Sequence, residues 1–153
     1  MKYIDTSSFV KYYGYHEKGK EEILDLVDSS KSGTEVLISS FLLMGECVSA
    51  FDKWARYKFI SLHQSHGIIK KFILEAQEMS NSGSLILEPI STITITNSLD
   101  LISKHHLSIN DAVHLYTALC NKLAIEEFIC TDDSLGKAAQ KEGFVVFNPE
   151  KKK

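Results

Sequence analysis

The chain has 153 residues, 44% hydrophobic and 24% charged, enough for one ordinary core and too few for two. A net charge of −3 leaves no broad basic face for a plain nucleic-acid-coating protein, and three cysteines without a CxxC spacing argue against a disulfide framework. No apolar run approaches the roughly 18 to 20 residues that span a bilayer, and the N-terminus shows no basic-then-apolar leader, so a cytoplasmic protein is expected.

Taken in order, Lys2 to Ile4 reads as a short buried strand ended by Asp5, and Thr6-Ser7-Ser8 then suits a helix start through Phe9, Val10 and Tyr13. His16 to Ser30 carries Ile23, Leu24, Leu26 and Val27 among charges and predicts an amphipathic helix. Val36 to Ser39 is a second strand. From Ser40 the pattern FLLMGECVSAFDKW turns helical, and Ser61 to Met79 predicts another helix with Ile68, Ile69, Phe72, Ile73 and Ala76 on its apolar side. Ser84 to Glu88 is a third strand, stopped by Pro89. The next piece, STITITNSLDLISKHH, is mixed: Ile93 and Ile95 alternate as in a strand, while Leu99, Leu101 and Ile102 favour the helix adopted here. A helix over Ser108 to Lys122, a strand over Glu127 to Thr131, a helix over Ser134 to Lys141 and a last strand over Phe144 to Phe147 complete the chain.

Short strands alternating with helices predict an α/β fold with a mainly parallel sheet covered on both faces. One domain is expected over residues 1–150, with 151–153 as a basic tail. In such sheets functional groups gather at the carboxyl ends of the strands. Asp5 closes the first strand, and Asp132-Asp133 follow the fourth.

Two more acids stand in apolar helical contexts. Glu46 is the only charge between Val36 and Phe51 and shares a face with Leu42, Leu43 and Ala50, where an unpaired carboxylate is costly. Asp111 lies within LSINDAVHLYTALCN; the spacing Ser108-x-x-Asp111 also fits a helix cap. Asp5 and the Asp132-Asp133 pair have the same bland alternative, as acids beginning helices. Gathered together, four carboxylates repel one another and need a counter-charge, and hard oxygen ligands favour Mg²⁺ or Mn²⁺ over zinc. Setting aside Asp5, Glu46, Asp111 and Asp133 leaves a net charge of +1, which a polyanion tolerates. His63 and His66, or His105 and His106, lack the partners of a zinc site, and His114, one turn after Asp111, either reaches the acids or packs in the core. The phosphate-binding and acyl-transfer motifs GxGxxG, the P-loop and GxSxG are absent.

The ordered series YIDTSSF, SSFLLMGECVSAF, LSINDAVHLYTAL and FICTDDSLGKAAQKEGFVVFNP resembles the PIN-domain ribonucleases, and most closely the VapC-type toxins of toxin–antitoxin modules. The resemblance spans nearly the whole chain. It implies a three-layer PIN-like fold with a five-stranded sheet in the order 3-2-1-4-5. It also implies a metal-dependent endoribonuclease with one or two Mg²⁺ or Mn²⁺ ions. Residue by residue, Asp5, Glu46, Asp111 and Asp133 match the acids, with Asp132 as the alternative to Asp133, while Thr6 and Thr131 match hydroxyl positions lining such sites. Lys11 and Lys137 are candidate phosphate contacts. The implied partners are a single-stranded or looped RNA substrate, a second copy of the chain and a small antitoxin. Two rival readings are a non-catalytic PIN-like binding module and a receiver-like signalling domain; the latter wants an acidic pair after the first strand, where only Asp5 stands.

Overall fold

In a computed structural model, residues 1–14 and 17–151 are described. Five parallel strands, β1 (Lys2–Ile4), β2 (Leu37–Ser40), β3 (Leu85–Glu88), β4 (Glu127–Ile129) and β5 (Val146–Phe147), form one sheet in the order β3-β2-β1-β4-β5. The register aligns Tyr3 with Ile38 on one side and Phe128 on the other, which puts β1 at the centre. This is the order that the sequence resemblance implied.

Among the described residues seven α-helices cover the sheet: α1 (Thr6–Phe9), α2 (Lys20–Lys31), α3 (Leu42–Arg56), α4 (Leu62–Asn81), α5 (Thr92–His105), α6 (Ile109–Cys120) and α7 (Asp133–Lys141). Alternate strand residues feed two cores, because successive side chains leave a strand on opposite faces. Ile4, Leu37, Leu85 and Ile129 pack with Phe9, Val27, Leu43, Cys47, Phe51 and Phe72 under α1 to α4. Tyr3, Ile38 and Phe128 pack with Leu101, Ala112, Leu115, Leu135 and Ala139 under α5 to α7. On the outer side of the first core, the half-buried Trp54 rests on Phe51 with ring centroids 5.2 Å apart.

Local chemistry explains where the elements differ from expectation. The β-branched stretch after Pro89 does form a helix, because Ser91 and Thr94 cap each other: each side chain bonds the other's backbone N–H, Thr94 doing the work usually given to Glu or Gln. The helix after Asp5 is only four residues long and passes into a 3-10 turn over Val10–Tyr12. The helix expected from His16 begins instead at Lys20, after the left-handed Gly19, and His16 itself lies outside the described residues. α7 starts one residue earlier than expected because Asp132 accepts hydrogen bonds from the backbone N–H groups of Ser134 and Leu135, both at 2.8 Å. Of the three cysteines, Cys47 and Cys130 are buried and Cys120 is exposed; no disulfide joins them.

After β5 the chain turns back as a strap. Asn148 donates to the Thr131 carbonyl at 3.4 Å, and Pro149 packs on Gly19 so closely that a Cβ there would stand 2.6 Å from the Pro149 backbone. Glu150 then meets Lys11 at 2.6 Å. Among the described residues no helix is long and apolar enough to cross a membrane.

Candidate active site

The carboxyl edge of the sheet gathers acids because β1 ends there and three helices begin beside it. The Asp5 N–H bonds the Ile129 carbonyl at 2.9 Å, extending the β1–β4 ladder by one residue. Its side chain, 4% exposed, caps α1 by accepting from the Ser7 N–H at 3.0 Å. The Ser7 hydroxyl in turn accepts from the Thr131 N–H at 3.1 Å, tying the turn after β1 to the turn after β4.

Glu46 projects from the second turn of α3 and is held from three directions. The Thr6 hydroxyl donates to its Oε2 at 2.6 Å, Asn110 Nδ2 donates to its Oε1 at 2.9 Å, and His114 Nε2 stands 2.9 Å from Oε2. Burial pushes the Glu46 carboxyl up, but the bonds from His114 and Thr6 outweigh it and hold the group below the ordinary glutamate range. His114 behaves as the mirror image. Its burial favours the neutral ring, yet the bond to Glu46 and the charges of Asp5, Glu46 and Asp111 raise it above its usual value.

The far side of the ring reaches the sheet. The Tyr3 hydroxyl accepts from the Ser40 N–H at 3.2 Å and lies 2.8 Å from His114 Nδ1. Burial, with Asp5 nearby, pushes the Tyr3 phenol well up, so it stays neutral. When the ring is neutral the phenol donates to Nδ1, which leaves the ring proton on Nε2, facing Glu46. That nitrogen is also 3.7 Å from Asp5 Oδ1. One N–H group thus lies between two carboxylates from different elements.

Asp111 sits in the first turn of α6, whose cap is Ser108. Its backbone N–H donates to the Ser108 hydroxyl at 3.2 Å, so the predicted cap is present, and its carboxylate, which accepts from the same hydroxyl at 2.7 Å, is still half-buried at the edge. Burial, then the charges of Asp5 and Asp132, push its carboxyl up. Of the two acids after β4, Asp132 is within electrostatic reach of Asp111, whereas the Asp133 carboxylate turns outward and is bonded by Lys151 at 2.7 Å. Lys151 holds the exposed Asp133 below the usual range.

The PIN domain family matches residues 2–140. The chain belongs to the PIN-domain family. The fold of this PIN domain is also similar to a chain in the structure of FitAB bound to the IR36 DNA fragment, with a TM-score of 0.65, 14% identity, and coverage of 100% of this chain and 98% of that one. No curated protein matches it. PIN domains are generally nucleases, and they generally use divalent metals.

Among the described residues, no three His, Cys, Asp or Glu side chains are close enough together to enclose a metal ion. The donor chemistry nevertheless fits a hard divalent cation, since the Asp5 and Glu46 carboxylates already converge on one group at His114 Nε2 and Asp111 faces the same edge. Lys11 requires a correction. Its ammonium is enclosed, with the residue 4% exposed, and pairs with Glu17 at 3.2 Å and Glu150 at 2.6 Å, so it holds the C-terminal strap and has no face for a phosphate. Three groups escaped the sequence reading. Asn110, the Tyr3 hydroxyl and Ser7 each bond a site residue, and only the proximity of Asn110 to Asp111 hinted at one of them.

Proposed function

We propose that this PIN domain is a metal-dependent endoribonuclease and the toxin component of a VapBC-type toxin–antitoxin pair. The observation that carries the reading is the three-way hold on Glu46 by Thr6, Asn110 and His114, beside the buried Asp5. A lone carboxylate fixed so firmly is arranged for a cation. In the proposal Asp5, Glu46 and Asp111 hold one or two Mg²⁺ or Mn²⁺ ions, Asp132 takes the fourth place in preference to Asp133, and Thr6 and Thr131 line the site. Such an ion supplies Lewis acidity, lowering the pKa of water and offsetting charge on phosphate oxygens during in-line displacement. His114 keeps Glu46 ionised and oriented, and Tyr3 fixes the ring.

The likeness to the FitAB structure, in which FitAB is bound to a DNA fragment, supports a two-component assembly that meets nucleic acid. Homodimerisation, and an antitoxin segment entering the acidic edge, belong to the same proposal.

The deciding experiment is cleavage of a labelled single-stranded RNA with Mg²⁺, Mn²⁺ or EDTA, beside Asp5→Asn with an unchanged melt. Metal-dependent cutting that falls by about a hundredfold or more in Asp5→Asn is expected. Calorimetric metal titration of Asp132→Asn and Asp133→Asn identifies the fourth acid, with the larger loss expected in Asp132→Asn. Neither cutting nor metal binding in the wild type would overturn the enzyme and favour a non-catalytic PIN-like module.

A further inference from the structure

The connection between α3 and α4 combines features that neither core packing nor the acid edge accounts for. α3 ends in a Schellman arrangement: the Lys58 N–H bonds the Ala55 carbonyl and the Phe59 N–H bonds the Trp54 carbonyl, both at 2.9 Å. The left-handed position of that motif usually takes glycine, yet here it is Lys58, at φ 61°. The residue after it ordinarily packs back on the helix. Phe59 instead remains 76% exposed, and Tyr57 is 63% exposed beside it, with ring centroids 6.3 Å apart. Monomeric surfaces seldom leave neighbouring aromatics open without a use.

Cations outnumber acids in this stretch. Lys53 lies 5.8 Å over the Tyr57 ring, and Lys58 has no ion pair among the described residues. Asp52 is the acid in this stretch, and Arg56 bonds it at 2.8 Å.

Topology places this tip on the side of the acids. α3 leaves the carboxyl end of β2, while α4 must deliver the chain to the amino end of β3, which is parallel to β2. With 20 residues α4 is about 30 Å long, against about 13 Å for the four residues of β3, so its start lies well beyond the carboxyl edge. Glu46 and Tyr57 are on the same helix, about 16 Å apart along its axis. A strand of a few nucleotides bridges that distance.

We propose that the tip of the α3–α4 hairpin is a stacking platform for single-stranded RNA, with Tyr57 and Phe59 receiving bases and Lys53 and Lys58 meeting phosphates. Aromatic faces take any base, and flanking cations track the backbone, so the platform grips unpaired RNA with little regard to sequence. The inference rests on the ribonuclease reading and adds to it a second contact remote from the acids. The acid edge repels phosphate when no metal is present, so RNA affinity in EDTA reports on the platform.

The test is filter binding of a short unstructured RNA in EDTA over a salt series, comparing wild type, Tyr57→Ala/Phe59→Ala and Lys58→Gln, with duplex RNA alongside. Exposed side chains change here, so equal melting curves are expected. The aromatic double variant is expected to lose at least tenfold in affinity for the single strand, with KM raised and kcat held when Mg²⁺ is restored. Lys58→Gln is expected to reduce the log–log salt slope by about 0.7. Unchanged affinity, slope and KM in variants of a wild type that cuts RNA would overturn the platform and leave the nuclease standing. The reverse separation is Asp5→Asn, which is expected to stop cutting and keep its EDTA affinity. A double variant that changes mass in sedimentation while binding RNA as before would overturn the proposal in favour of a contact between copies. A wild type that neither binds nor cuts RNA would remove both readings.

Discussion

Glu46 shows how a single carboxylate can be made costly to move. Thr6 reaches it from α1, and Asn110 and His114 reach it from α6, so losing Thr6 or Asn110 lets the side chain turn without removing a charge. Asn110→Ala is therefore expected to weaken metal affinity about tenfold to a hundredfold with little change in stability, as titration calorimetry and melting curves would record. His114 carries a pH signature. Its folded-state pKa is raised above the ordinary 6.5, so its stabilising contribution is complete below that value and disappears as the pH rises through the raised one. In EDTA the urea midpoint should decline on the alkaline side of about pH 6.5, and His114→Gln should flatten the decline. A variant retaining the full slope would place that dependence on another group. The acids themselves were legible in the sequence because each interrupts an apolar run. Their partners were not: Tyr3 and His114 lie 111 positions apart, and nothing local in a tyrosine marks which nitrogen it will meet. Lys11 was misleading for the same reason, since the glutamate that engages it most closely is 139 residues away.

At the scale of elements, position does most of the chemistry. β1 ends at Asp5, α6 begins just before Asp111, and α7 is capped by Asp132, so three acids reach one edge through the ordinary rules of where strands stop and helices start. The sheet order itself was implied by the family resemblance rather than by these rules, and nothing local in the Asp132-Asp133 pair marks which of the two caps α7. The helix over Thr92–His105 was ambiguous because isoleucine and threonine suit strands, and the Ser91–Thr94 cap resolves it. A second device ties elements together away from the site. Glu75 on α4 accepts from Tyr13 at 2.8 Å and from Lys31 of α2 at 3.0 Å. Burial raises its carboxyl, but the bonds from Lys31 and Tyr13 prevail and lower it. A depressed carboxylate stabilises the fold above its unfolded value of 4.5, and the contribution is lost as the pH falls through the folded one. Glu75→Gln is expected to cost about 1 kcal/mol at neutral pH, with the gap to wild type closing in acid, by chemical denaturation at each pH. A gap that persisted in acid would mean packing rather than charge.

For the molecule as a whole, the C-terminal strap closes the chain on itself. Lys11 holds Glu150 behind the 3-10 turn, Pro149 fills the space left by Gly19, and Lys151 reaches Asp133, so residues near the two ends of the chain meet beside the acidic edge. Lys11→Met is expected to free the strap at a cost of about 1 to 2 kcal/mol, moderate because both glutamates can regain water. Faster protease cleavage around residues 148–151 would record it, and cleavage at the wild-type rate would assign the closure to Pro149 instead. Trp54 offers a different handle on the whole. It is the only tryptophan of the chain, and it rests on Phe51 in the last turn of α3. Emission excited selectively at tryptophan, beyond the absorption of the tyrosines, therefore comes from one known place, at the root of the hairpin tip. Quenching or a spectral shift on mixing with any unlabelled partner reports an event at that hairpin, without a dye, a tag or a mutation.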